Sequence, residues 1–148
     1  MTFADGNYNY VRVYVFIAVP EKGEGRTDMQ KMIKNIEPCT ILKMADQVEY
    51  REGQVVSRTL TQNGRHSLTL FAFEKGEEIS AHESKGDALV YVLDGIGKLT
   101  VGGKEYVVRK GEALLMPANI PHAVYAEERF KMMLTVAFPE NPSNVQIK

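Results

Sequence analysis

From residue 55 onward apolar and polar positions alternate over short runs, each closed by glycine, proline or asparagine. A period of two marks half-buried β-strands. VVSRTLTQ (55–62) and RHSLTLFAF (65–73) flank Asn63-Gly64, the strongest two-residue hairpin signal, because both residues tolerate the positive φ of a type I′ turn. Such a turn pairs Thr61 with His66, Thr59 with Leu68 and Arg58 with Thr69. Further strands are predicted over 87–93, over 98–101 and 104–108 on either side of Gly102-Gly103, and over 112–116, 123–126 and 131–138. Short strands at intervals of about ten residues, with little helix, predict a sandwich or a barrel.

The strand over 87–93 is apolar on both sides: Ala88, Val90 and Val92 share one face, Leu89, Tyr91 and Leu93 the other. Strands of that kind are buried on both sides. One face is expected to line the interior and the other to lie under the other sheet's flank, the N-terminal arm or a second subunit. Met132, Met133 and Leu134 repeat the pattern in the last strand, methionine being suited to irregular apolar surroundings. A homodimer is the expected assembly.

Ahead of residue 32 the pattern differs. Residues 1–31 read as an appended arm, with one strand at 11–19 (VRVYVFIAV) stopped by Pro20 and a linker at 21–28 (EKGEGRTD) rich in glycine and charge. Glu, Lys, Gly and Arg can all be written in purine-only codons, so a second reading makes this linker a translated ribosome-binding site, with initiation at Met29 or Met32. Residues 32–148 form the barrel domain. It opens with an extended lead-in from Ile33 and one or two helical turns within ILKMADQVEY (41–50), which Gly53 closes. Pro139 and Pro142 end the order before a polar tail.

With 148 residues, 44% of them apolar and 25% charged, the chain can bury a hydrophobic core, and wholesale disorder is excluded. A net charge of -1 offers no basic field for a phosphate backbone, so nucleic acid is not an expected partner. The 11–19 run is too short to span a bilayer and is interrupted by Arg12, so no membrane segment is expected. Cys39, the single cysteine, can form no internal disulfide and lacks CxxC spacing; an inert thiol in a reducing cytoplasm is the expectation.

Two stretches carry the candidate chemistry. Residues 76–95 (GEEISAHESKGDALVYVLDG) open on a glycine-bounded turn and place His82 just ahead of an alternating run; residues 111–124 (GEALLMPANIPHAV) place His122 beside a proline-rich turn. Two histidines in two turn-strand units suggest one pocket. His66, beside a hairpin turn, reads as an exposed polar residue. Arg58 could clamp a ligand carboxylate or phosphate, or be a solvated edge charge.

These stretches resemble the two motifs of a small single-domain cupin. Gly76, His82 and Gly95 fall on the first motif, and Gly111, Pro117 and His122 on the second, at matching spacings. Together the motifs and the hairpin between them span about a third of the chain. The resemblance implies an all-β, cupin-type jelly-roll β-barrel whose interior holds a metal or small ligand, commonly as a homodimer. It also implies departures. Ser84 stands where the motif has a second histidine and Ala88 where it has glutamate, so two of four expected metal ligands are missing; Asn119 and Ala126 replace a glycine and an asparagine.

Two readings of the pocket follow. In the first, His82 and His122 hold one divalent transition metal (Fe, Mn, Ni or Zn), with Asp87 or water completing the shell; the resemblance then allows dioxygenase, isomerase or lyase chemistry. Strand alternation turns Asp87 away from the inward face unless a bulge at Gly86 reverses it. In the second, the pocket is metal-free, and the imidazoles, Arg58 and Ser84 bind a small molecule by hydrogen bonds, as a binding or sensor module. A structural dimer without catalysis is the third possibility.

Overall fold

A computed structural model describes residues 32–139. The expected arm, with its strand at 11–19, its linker and its start sites, lies outside the described residues, as does the tail from residue 140. One 3-10 turn, Met44–Gln47, falls within the stretch expected to hold helical turns, but it ends at Val48, which is extended, and Gly53, with a φ of 64°, belongs to a separate turn before β1. Among the described residues nine strands follow: β1 Val55–Gln62, β2 His66–Phe73, β3 Glu78–His82, β4 Asp87–Asp94, β5 Ile96–Val101, β6 Lys104–Arg109, β7 Ala113–Met116, β8 His122–Tyr125 and β9 Phe130–Ala137. They form two antiparallel sheets, ordered β1-β2-β9-β4-β7 and β3-β8-β5-β6, the layers of a jelly roll.

The expected alternation sets the core. Ala88, Val90 and Val92 of β4 face inward at 1% exposure or less, with Leu99, Met116, Phe130 and Met132 from other strands. Phe73 and Phe130 stack with their centroids 4.8 Å apart, and a Cβ at Gly97 would stand 2.6 Å from the Phe130 ring. A second apolar cluster lies on the outer face of the five-stranded sheet, where Val48, Ile36, Met44 and Tyr50 of the lead-in cover Leu60, Leu70, Leu93 and Met133.

Two expectations are corrected. The first hairpin is not a type I′ turn at Asn63-Gly64, since neither residue has a positive φ. The Asn63 carboxamide oxygen accepts from the amides of Arg65 (2.8 Å) and His66 (3.0 Å), and Asn63 N donates to His66 O, so the loop shifts to Gly64-Arg65. Thr61 therefore faces Leu68; a bulge then places the extra residue, Leu60, in the outer cluster, and Thr59 faces Thr69 and Arg58 faces Leu70. Second, Glu78–His82 is a strand where none was expected just ahead of residue 87. Within the single chain the outer face of β4 is covered in part: Leu93 lies under the lead-in, while Leu89 and Tyr91 are 44% and 39% exposed.

No helix among the described residues is long and apolar enough to cross a membrane.

Candidate functional site

His82 and His122 meet because their strands are antiparallel neighbours. In the β3–β8 ladder the two are direct cross-strand partners, so their side chains leave the same face. That face is the inner one, since His122 and Val124 are buried in alternation with Ala123 and Tyr125. The ring centroids are 4.5 Å apart with planes inclined at 64°. β3 is an edge strand, so the pair has one open side: His82 is exposed, while His122 is only 4% exposed.

Each ring is oriented by its own backbone. His82 Nδ1 lies 2.9 Å from Ser80 O and His122 Nδ1 lies 3.0 Å from Ile120 O. A carbonyl oxygen can only accept, so in the neutral rings both Nδ1 atoms carry the proton and both Nε2 atoms keep their lone pairs. Each ring thereby keeps one basic nitrogen, able to accept from a ligand's N–H or O–H or to donate its lone pair to a metal ion.

The loops bearing the histidines are stitched together. Asn119 N donates to Ser84 O (2.8 Å) and Ala118 N donates to Asp87 Oδ1 (2.9 Å). Asn119, in the place of the motif's glycine, takes the left-handed φ of 60° expected of a turn residue. Gly86 N donates to Ser84 Oγ (3.2 Å), which leaves the Ser84 hydroxyl proton for another acceptor. Gly86 itself is pressed onto β9: a Cβ there would stand 2.3 Å from Ala137 O.

The other sequence candidates are placed elsewhere. Arg58 does not face the histidines; its guanidinium donates to the carbonyls of Gln47 (2.8 Å) and Asn35, pinning the lead-in across β1. Asp87 stays in register opposite Ala137, with no bulge to turn it inward, and is exposed. Ala88, at the motif's glutamate position, does face inward but carries no donor. Among the described residues no group of three His, Cys, Asp or Glu side chains is arranged to hold a metal ion. The donors therefore fit half of a usual metal shell. His66 is exposed beside the Asn63 carboxamide, as expected. A cavity of about 280 Å3 opens at the other end of β5, beside Ile96, Lys98, Val107 and Arg129, away from the histidines at the Val101 end.

Sequence reasoning missed the oxygens of Ser80 and Ile120, each two residues before a histidine, because a backbone carbonyl leaves no trace in residue identity. It also missed Tyr50, whose hydroxyl donates to Asp94 Oδ2 (2.8 Å) while Lys131 Nζ lies 4.7 Å from its ring centroid. Burial, and then the Asp94 carboxylate, push the Tyr50 phenol well above its ordinary range.

Comparison with known proteins places these features. The family model described as a cupin domain matches residues 69–138. A conserved protein of unknown function from Streptococcus pyogenes is 42% identical over 74% of this chain and 96% of its own, with a TM-score of 0.72. A cupin superfamily protein from Desulfitobacterium hafniense is 33% identical over 72% of this chain and 98% of its own, with a TM-score of 0.69. A cupin 2 conserved barrel domain protein from Leptotrichia buccalis is 49% identical over 65% of this chain and 47% of its own, with a TM-score of 0.64. No protein of curated function matches.

Proposed function

This chain belongs to the cupin superfamily, and on that premise we propose that it binds a small molecule at the barrel end where His82 and His122 meet. The observation that carries the reading is the pairing of two imidazoles whose Nδ1 atoms are both tied to backbone carbonyls. Both Nε2 lone pairs then face one guest with no cost of reorientation. A ligand with two adjacent hydrogen-bond donors suits the pair, and the Ser84 hydroxyl can add a third polar contact.

The same tautomers favour a second reading, since a metal-bound imidazole needs its other nitrogen fixed as a donor. His82 and His122 would hold a divalent transition metal through Nε2, with water or the ligand completing the shell; the metal would supply Lewis-acid chemistry. We place the protein in the cytoplasm, in keeping with a free, exposed Cys39, and as a homodimer.

Calorimetric titration with zinc, and mass spectrometry of ligand co-purified without chelator, test both readings. The expected result is that His122→Ala abolishes whichever guest binds and keeps the fold. A His122→Ala protein that retains its guest overturns the assignment, and zinc binding to the wild type separates the metal reading from the metal-free one.

A further inference from the structure

Asp87 is the remaining member of the expected constellation, and its carboxylate has a different partner. In the β4–β7 ladder Val92 N donates to Glu112 O, and hydrogen-bonded pairs alternate, so Val90 and Ala88 pair in this way with Leu114 and Met116. The rung after Ala88 and Met116 would join Ala118 N to the carbonyl of Gly86, at the point where β7 has already ended. Ala118 N donates to Asp87 Oδ1 at 2.9 Å. The carboxylate takes the amide that the next rung of the ladder would use.

The anchored turn carries the chemistry of His122. Asp87 and Ser84 O hold its first half through Ala118 N and Asn119 N, and Pro121 O accepts from Gly102 N on its far side. Between these anchors lies Ile120, whose carbonyl oxygen receives the Nδ1 proton of His122. Among the described residues Asp87 supplies the side-chain anchor of this turn; the others are main-chain groups. If the turn moves, Ile120 O moves, and the buried imidazole loses the partner that selects its tautomer.

We infer that Asp87 is a positioning residue, which clamps the 117–121 turn so that Ile120 O holds His122 in the Nδ1–H tautomer and its Nε2 faces the site. This role rests on the binding reading above only for its purpose. The geometry stands in the ligand-free protein, so the two can fail separately.

The test is nitrogen-15 NMR of the His122 ring at a pH where imidazoles are neutral, with no metal present. The wild type and Asp87→Asn, whose carboxamide oxygen still accepts from Ala118 N, should show the Nδ1–H tautomer; Asp87→Ala should show a mixture of tautomers. An unchanged tautomer in Asp87→Ala overturns the inference. If Asp87→Ala does not fold, hydrogen exchange of the wild-type Ala118 amide decides: slow exchange supports the clamp, and exchange as fast as an open amide overturns it. Zinc, where the wild type binds it, should bind about 10- to 100-fold more weakly to Asp87→Ala, with recovery in Asp87→Asn, and equal binding by all three overturns the inference. Zinc binding by none of them, with the tautomer change intact, defeats the metal reading and leaves the clamp standing.

Discussion

At the scale of single residues, the site depends on atoms that the motif spacing does not name. The histidines were legible, because a glycine-bounded spacing and a proline turn put both on strand ends. Their tautomers were not, since these come from Ser80 O and Ile120 O. Gly86 shows the same division. It was read as the point where a bulge could turn Asp87 inward; instead its missing side chain lets the loop lie against Ala137 O and Val136. A methyl group 2.3 Å from a backbone oxygen must displace β9 or the loop. Gly86→Ala is therefore expected to destabilise the fold by about 1–3 kcal/mol and to loosen the contact between the histidine loops. Urea unfolding measures the first, and guest affinity the second.

At the scale of elements, the lead-in before β1 is held by side chains from the sheet beneath it. Arg58 reaches Gln47 O and Asn35 O, Lys131 Nζ reaches Ala45 O at 2.6 Å, and Tyr50 closes on Asp94. From sequence Arg58 could be a ligand clamp or a solvated edge charge, since the hairpin around it contains no carboxylate to pair with. The covering segment that uses it lies 11 and 23 residues upstream, beyond the reach of any local pattern. Tyr50→Phe keeps the ring beneath Arg129 and Lys131 but removes one part-buried hydrogen bond, so a loss of about 1 kcal/mol is expected. Its pH signature is specific. A phenol whose folded-state pKa is raised contributes stability that is complete below the ordinary value of about 10 and falls as pH rises beyond it. The stability difference between wild type and Tyr50→Phe should therefore be flat below about pH 10 and shift against the wild type above it, as denaturation series at stepped pH would show.

At the scale of the whole molecule, the five-stranded sheet is covered unevenly. Its lead-in end is buried, while Leu89, Tyr91 and Leu115 remain exposed on β4 and β7, with Leu89 directly opposite Leu115. This uncharged patch is what the homodimer proposal would cover, because a two-fold contact brings the same surface from both subunits and needs no charge complement. Leu115→Glu is expected to convert a dimer into monomers without unfolding them. Light scattering at micromolar concentration checks this, and a monomeric wild type would remove the proposal.

The sequence by itself determined the alternation, hence which face of each strand is inward, the order of strands and turns from β4 to β9, and the approach of two histidines about forty residues apart. The alternation and the strand order follow from a side-chain period of two and from turn residues, both local properties of the chain, while the approach of the histidines was legible through the resemblance of their two motifs. Tertiary structure alone decided the register of the first hairpin, the exposure of Leu89 and Tyr91, the use of Arg58 and Asp87 as fasteners, and the proton positions on the two rings. Each of these depends on which backbone carbonyl, amide or covering segment arrives from a distant part of the chain, and a backbone group carries no residue identity by which it could be recognised in advance.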